Sequence, residues 1–339
     1  MPTPSIAVLP FADRSPDHDQ QHFCDGLAEE LINALARVEG LRVAPRSASV
    51  RLRGSVDPQD AGRQLGVVAV LAGSVEKAGD RLQVSAKLTS TDGGAELWSH
   101  TFDRPLEDVF AIRQEIAERI TQTLELRLDE RQAAALEQPP TRDVQAYEHY
   151  LRGRERFFEY RRSGVEAALQ RFNMALTLDP DYGRAHAGVA ECCTFLFMYA
   201  DGDEADREQA DLASHRALEL TPELAEAHVA RGLVWSLQHR YQEAEEAFET
   251  AIRLDPKLFE AYYFYARNSF VQGDLESAAK LWGHASRINP DDYQAPLLLA
   301  QVDDDLGRRD EATASRRRGV GAAERRLQLN AGETRALYM

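Results

Sequence analysis

Four helical runs in this chain close on a polar residue followed by proline: Asp179-Pro180, Thr221-Pro222, Asp255-Pro256 and Asn289-Pro290. The last three prolines lie 34 residues apart, while the first gap is 42, the same unit carrying an eight-residue insertion. A fixed period of that length is the mark of stacked helical hairpins. One hairpin cannot bury its own apolar face, so neighbours must stack, and stacking leaves a long concave surface suited to another polypeptide. The spacing therefore argues for binding ahead of chemistry.

The unit from Ala225 to Pro256 shows why the period is structural. Gly232 falls where two helices cross closely, Trp235 fills the space beside it, and Ala244, Phe248 and Ala251 recur at helical spacing on the second helix. Pro256 cannot donate a backbone hydrogen bond and biases Asp255 away from the helical region, which ends the helix. The next unit repeats the pattern with Ala266, Ala278, Trp282, Ala285 and Pro290. Upstream, Ala190, Ala210, Ala217 and Pro222 fit with the extra residues between Tyr199 and Asp206. Gly153, Ala168, Phe172, Ala175 and Pro180 fit once the turn around Arg161 to Ser163 is lengthened. These residues resemble the tetratricopeptide repeat (TPR) family over roughly residues 145–330. A fifth unit is degenerate: Ala300, Gly307 and Ala312 fit, but Arg316 and Gly319 stand where an aromatic residue and an alanine are expected.

The first part of the chain has another rhythm. Ile6 to Leu9 reads as a strand buried on both faces, and a helix follows with Phe23, Leu27, Leu31, Leu35 and Val38 on one side. Leu41 to Ala44 reads as a second strand, Asp57 and Pro58 as an N-cap and first helical position, and Gly66 as that short helix's end. Val67 to Val75 returns to strand. The turn signals Ala78-Gly79-Asp80 and Thr91-Asp92-Gly93-Gly94 bracket a strand alternating at Leu82, Val84, Ala86 and Leu88. Trp98, His100 and Phe102 mark its antiparallel neighbour, and a helix with Val109, Ile112, Ile116, Ile120 and Leu124 closes the domain. Gln138-Pro139-Pro140-Thr141 reads as a linker.

This order of elements, with Pro4-Ser5-Ile6-Ala7-Val8-Leu9-Pro10-Phe11, Asp25-Gly26-Leu27, Gly62-Arg63-Gln64-Leu65-Gly66 and Gly73-Ser74-Val75, resembles the TolB-like amino-terminal domain family over roughly residues 4–130. The resemblance implies a small α/β sandwich without recognised catalytic residues, commonly followed by TPR units. It also implies a setting: the carboxyl-terminal part of bacterial regulators whose amino-terminal part is an adenylate cyclase, a serine/threonine kinase or a winged-helix DNA-binding domain. The expected architecture is thus an α/β sandwich (1–137), a linker (138–144) and an all-α TPR solenoid (145–339) of about five repeats. Arg335 to Met339 reads as the opening turn of a further repeat helix, so the chain is expected to be a piece of a longer polypeptide, with an effector attached upstream.

The formal charge of −16 disfavours attachment to nucleic acid or anionic lipid, since phosphate contacts need clustered Lys and Arg. No apolar run approaches the roughly 18 residues of a membrane helix, and no export signal opens the chain. A complete chain is then expected in the cytoplasm. One excised from a membrane-anchored parent is compatible with the periplasm. Neither a phosphate-binding glycine loop, a kinase catalytic loop nor a paired-histidine zinc signature is present, so no enzyme, cofactor or metal is expected. His18, His22 and Cys24 offer metal-ligand types, but the motif spacing and a fourth ligand are missing, which favours a polar lead-in to the first long helix. Cys192 and Cys193 read as buried packing residues, and Asp303-Asp304-Asp305 as a solvated helix face without the spaced ligands of a calcium loop. Arg316-Arg317-Arg318 and Arg325-Arg326 read as an outer helix or a surface for a further repeat.

First-helix positions that face the concave side in the TPR family map here to Tyr150, Arg154 and Phe157, and to Ala187, Glu191 and Thr194. They continue at Val229, Leu233 and Ser236, at Tyr263, Arg267 and Phe270, and at Gln301 and Asp304. Aromatics interspersed with charge suit a peptide, and Arg154 and Arg267 suit a bidentate carboxylate. Some of these positions, Phe157 and Phe270 among them, equally suit packing on the next repeat. The lysine and asparagine set of chaperone-tail adaptors is absent from the corresponding positions. The expected function is a non-catalytic regulatory or scaffolding module that binds protein or peptide in the groove and reports to an attached effector. The alternative is a regulatory fragment of a larger adenylate cyclase or Ser/Thr kinase. A third reading gives the α/β domain a small-molecule pocket.

Overall fold

The computed structural model describes residues 4–36, 38–44, 48–49, 52, 57–126, 128, 133, 139–157, 161–200 and 203–329. Gln138, Asp201, Gly202, the side chain of Arg326 and the expected helical turn at Arg335 to Met339 lie outside the described residues. The chain divides into two compact units, one of Met1–Arg156 with Met174–Pro180 and the other of Phe157–Asn173 with Asp181–Met339.

The first unit is built on a mixed sheet. Strand β1 (Ser5–Val8) lies parallel to β3 (Arg42–Val43) on one side and to β4 (Ala69–Ala78) on the other, with Ile6 opposite Ala69 and Val8 opposite Leu71. Strand β2 (Ala12–Asp13), which the sequence pattern does not announce, adds a short parallel pair to β4. Beyond β4 the order continues antiparallel through β5 (Arg81–Ser90) and β6 (Glu96–Pro105), with Val75, Val84 and Phe102 in one cross-strand row. Helix α1 (Gln21–Ala36) follows β2, α2 (Pro58–Leu65) precedes β4, and α3 (Val109–Thr123) follows β6.

Local chemistry sets these limits. The Asp57 carboxylate accepts from the Gln59 N–H, Pro58 opens α2, and Gly66 closes it in the left-handed conformation at φ 61°. Ala61 of α2 joins Ala7, Leu9, Ala44, Val67 and Val70 in one apolar cluster, so these positions of β1 and β4 face α2. Ile6, Val8 and Leu71, at alternate positions, therefore face the other side of the sheet.

Helix α1 is buried on more sides than one apolar stripe provides. Besides Phe23, Leu27, Leu31 and Leu35, it buries His22, Gly26 and Glu30. For His22 and Gly26 the reason is α4 (Val144–Phe157), which the sequence assigns to the repeat array and which packs within the first unit, while Glu30 is met by Arg113 of α3. Tyr147 of α4 sits edge-on between Phe23 (6.1 Å) and Phe110 (5.2 Å). Gly26 admits Leu151 so closely that a Cβ there would fall 2.4 Å from its Cδ2. Polar contacts surround this seam: Lys77 with Glu148, Arg154 with Glu29 at 3.7 Å, and Arg152 Nε donating to His22 Nε2 at 3.3 Å.

The second unit is a run of antiparallel helix pairs. After α5 (Arg162–Leu178) come α6 (Gly183–Tyr199) with α7 (Glu204–Leu220), α8 (Ala225–Leu237) with α9 (Tyr241–Leu254), and α10 (Phe259–Val271) with α11 (Leu275–Ile288). Helices α12 (Gln294–Asp305) and α13 (Arg309–Leu329) form the last described pair. The small and aromatic positions of the repeat pattern form the core: Ala244, Phe248 and Ala251 cluster with Val229 and Leu233, and Ala278, Trp282 and Ala285 with Ala266 and Leu299. Gly232 admits the Phe248 ring, whose Cε1 would lie 2.8 Å from a Cβ at that position. The degenerate fifth unit still pairs. Gly307 serves the turn at φ 76°, Ala312 and Ser315 are buried, and Gly319 lets α13 approach Leu297.

The eight-residue insertion is spent mainly on helix. Helix α6 has 17 residues against 13 for α8, and α7 has 17 against 14 for α9. Its first helix thus gains a full turn, ending at Tyr199.

Two outcomes follow from this packing. Phe248→Ala should lower the second unit's stability in urea by about 3 kcal/mol or more, by lost burial and an uncollapsed cavity. Leu212→Ala, at a 72% exposed side chain, should change it by less than about 0.5 kcal/mol. The second outcome concerns His22. Burial, followed by the adjacent Arg152 guanidinium, holds its ring below the ordinary histidine range, with Lys77 adding to this and Glu155 and Glu148 opposing it. A ring kept neutral in the fold takes up a proton on unfolding, so its contribution is complete above about pH 6.5 and is lost as pH falls below that. Melting curves of the chain across this window should show the acid loss, and His22→Gln, which keeps an acceptor for Arg152, should flatten it.

Candidate functional site

In the second unit the first helices of successive hairpins lie against one another, α6 on α8 and α8 on α10. Together they form one continuous wall, the surface that such arrays use for binding. The candidate residues divide three ways on it.

Tyr150 and Arg154 do not belong to this wall. Both are on α4 in the first unit, where Tyr150 is buried and Arg154 is engaged with Glu29. A second group has become core: Ala187, Thr194, Val229, Leu233 and Tyr263 are all buried. Tyr263 stacks on Phe259 at 5.5 Å, and its hydroxyl donates to Gln294 Oε1 at 3.2 Å, tying α10 to α12. The remaining candidates keep access to solvent. Glu191, Ser236, Arg267 and Phe270 are half-buried, and Gln301 and Asp304 are exposed. Phe270 leans on Trp282 at 5.6 Å, and Asp304 is paired with Arg316.

The residue that the repeat template misses is Tyr199. It lies on the extra turn of α6, 45% exposed, with Phe195 at 5.0 Å. Phe157 meets Phe195 edge-on at 6.5 Å, extending the aromatic row. Arg267 Nη1 donates to the Tyr199 hydroxyl, and its Cζ stands 5.6 Å from the centre of that ring. Helix α10 thus reaches past the α8–α9 hairpin to the end of α6. The insertion was visible in the spacing; what it builds was not, because no repeat position corresponds to the added turn.

Other charged groups on these helices are structurally committed. Arg231 donates to Asp211 at 2.7 Å and covers the Trp235 ring at 4.7 Å, while Arg240 stands 5.4 Å from the same ring. Burial pushes the Asp211 carboxyl upward, but Arg231 and Gln238 outweigh it and the net direction is down. Asp303 is buried near Arg308, and its carboxyl is pushed up by burial. Arg318 donates to Ser315, and Arg325 lies 4.0 Å from Asp291.

Cys192 and Cys193 are buried free thiols, and burial, with Asp206 nearby, pushes the Cys193 thiol up to about 12. A thiol held protonated is neither a nucleophile nor a metal ligand at neutral pH. Cys24 is likewise buried and His22 is occupied by Arg152. Among the described residues no three His, Cys, Asp or Glu side chains converge as a metal site, and no helix is long and apolar enough to cross a membrane. A shallow depression of 440 Å³ on the open side of β4, β5 and β6 is lined by Ser74, Ser85, Lys87, Ser99 and Thr101. Its lysine is already paired with Glu96 at 3.0 Å.

Residues 2–119 match the family described as the HilA/YgeH-like transcriptional regulator, second domain, and residues 225–258 match the tetratricopeptide repeat. A protein of Rhizobium meliloti (strain 1021) that carries the name adenylate cyclase 3 is 32% identical over 247 residues, which are 72% of this chain and 42% of that protein. The chain therefore spans less than half the length of this curated relative. Among solved structures, a thermophilic TPR protein of Thermus thermophilus is similar over 57% of this chain and all of its own length, at 18% identity and a TM-score of 0.46. TolB from Acinetobacter baumannii is similar over 36% of this chain and 28% of its own, at 17% identity and a TM-score of 0.28. The chain carries a HilA-like amino-terminal domain followed by tetratricopeptide repeats.

Proposed function

We propose that this chain is a non-catalytic regulatory module that binds a protein or peptide along the wall formed by α6, α8 and α10, and reports to an effector in the same polypeptide. The observation that supports this most is the Tyr199–Arg267 cluster. Large aromatic surface and a guanidinium sit together, partly exposed, on the inner helices of a repeat array, and this combination is enriched at binding hot spots. The α/β unit, read as a TolB-like sandwich from its order of elements, would then stand between effector and repeats in the chain.

A second reading, a regulatory fragment of a larger adenylate cyclase or kinase, draws on the relative of which this chain spans 42%. The two readings differ only in what the attached effector is. Both place any nucleotide chemistry outside residues 1–339, so cyclase and kinase assays on this chain alone should be blank.

Arg267→Ala should weaken capture of a native partner while leaving the melting temperature within a few degrees, because a half-buried guanidinium on a neutral phenol contributes little to folding. Affinity capture from the source cell with the wild-type chain and the variant, beside thermal melts, measures both quantities. A collapsed melting temperature, or capture unchanged by the substitution, would take the wall out of the binding reading.

A further inference from the structure

We infer that the wall is selective for acidic linear peptides: a ligand carboxylate takes the place of the Tyr199 hydroxyl on Arg267, with an adjacent aromatic side chain stacked on the Tyr199 and Phe195 rings. This rests on the wall being the binding surface, and adds the chemistry of what it binds.

The other arginines of the array provide the contrast. Arg207, Arg216, Arg231, Arg240, Arg308 and Arg316 each pair with a carboxylate, while Arg253 and Arg318, which donate to the Thr250 and Ser315 hydroxyls, are exposed to solvent. Arg267 is half-buried, yet among the described residues it is paired with no carboxylate: its side-chain hydrogen bond goes to the Tyr199 hydroxyl, and its Cζ stands 5.6 Å from the centre of that ring. In a chain of net charge −16, a partly desolvated guanidinium left on a neutral partner is a conspicuous mismatch. A phenol offers one acceptor oxygen, whereas a carboxylate offers two in the planar geometry that a guanidinium fork matches. Exchange of one for the other is thus favourable at this position, and it leaves the Tyr199 ring in place.

The aromatic contact is supplied by the same turn. Tyr199 and Phe195 stand 5.0 Å apart, Phe157 continues the row at 6.5 Å from Phe195, and Tyr199 keeps nearly half its surface in solvent. A side chain next to the bound carboxylate would cover that exposed ring. The competing Tyr199 hydroxyl makes the pocket self-occupied when empty, which keeps a cation from standing bare on the wall.

Selection of a displayed library of short random peptides on the whole 339-residue chain tests this. Wild-type selection should enrich Asp or Glu beside an aromatic residue. Arg267→Glu should lose the selected peptides by about tenfold or more in affinity, and its own selection should enrich Lys and Arg at the same place. Tyr199→Phe, which removes the competing hydroxyl and keeps the ring, should tighten the acidic peptides about threefold. Enrichment without acidic residues, or the same acidic peptides selected by Arg267→Glu, would overturn the inference. Phe195→Asp separates this from failure of the wall itself: peptides that bind the wild type and this variant equally lie elsewhere, and both readings then fall. Peptides lost by Phe195→Asp but chosen without regard to charge leave the wall standing and remove only the acidic preference.

Discussion

Two helix contacts of the array, α8 with α9 and α5 with α6, depend on an aromatic ring lying against a helix with no side chain in its way. Gly232 faces the Phe248 ring, and Gly188 faces Phe172 of the preceding helix pair; a Cβ at either glycine would fall inside 3 Å of the ring. That approach lets the flanking alanines, Ala244 and Ala251 among them, meet the neighbouring helix directly. It also has a consequence for the wall. Helices drawn this close carry nominal groove positions into the interior, which is why Val229 and Leu233 work as core with Phe248 and not as contact residues. What remains available lies toward the carboxyl ends of the first helices, where Tyr199, Ser236, Arg267 and Phe270 are found.

The insertion between α6 and α7 changes that end of the wall. Added residues in a repeat commonly make a longer loop. Here most of them continue the two helices, where each added residue gains a backbone hydrogen bond at the low cost of propagating an existing helix. The extra turn carries Tyr199 past the end that a regular repeat would have and brings it to Arg267, 68 residues further along the chain. A local change in helix length has thus become a contact between hairpins that are not sequential neighbours.

Much of the architecture was legible because it rests on residues with one physical meaning. Proline after Asp255 ends a helix, Asp57-Pro58 begins one, and Gly66 closes it; the alternation of Leu82, Val84, Ala86 and Leu88 fixes the buried face of β5. The short β2 was not legible, since two residues carry no period. Nor was the second buried side of α1. Its Gly26, Glu29 and His22 lie outside the apolar stripe read from the sequence, and α4 gives them their partners in Leu151, Arg154 and Arg152. For the wall, the template placed Arg267 on it, where the residue is half-buried, but it assigned Tyr150 and Arg154 to a surface that α4 turns toward α1. Side-chain identity at a repeat position does not reveal which neighbour covers it.

The seam between α4 and α1 also shows how polar groups are used where burial is unavoidable. Tyr147 and Leu151 supply its apolar contact, yet two rods with an aromatic and an aliphatic anchor could slide by a helical turn at modest cost. Lys77 with Glu148, Arg154 with Glu29, and Arg152 with His22 make such a slip expensive, because it would leave several partly or fully desolvated charges without partners. Glu30 with Arg113, 3.5 Å apart and nearly inaccessible, does the same between α1 and α3. Buried pairs of this kind add little net stability over well-packed apolar residues, so their effect here is on register: they favour the position of α4 at which Glu148, Arg152 and Arg154 meet Lys77, His22 and Glu29.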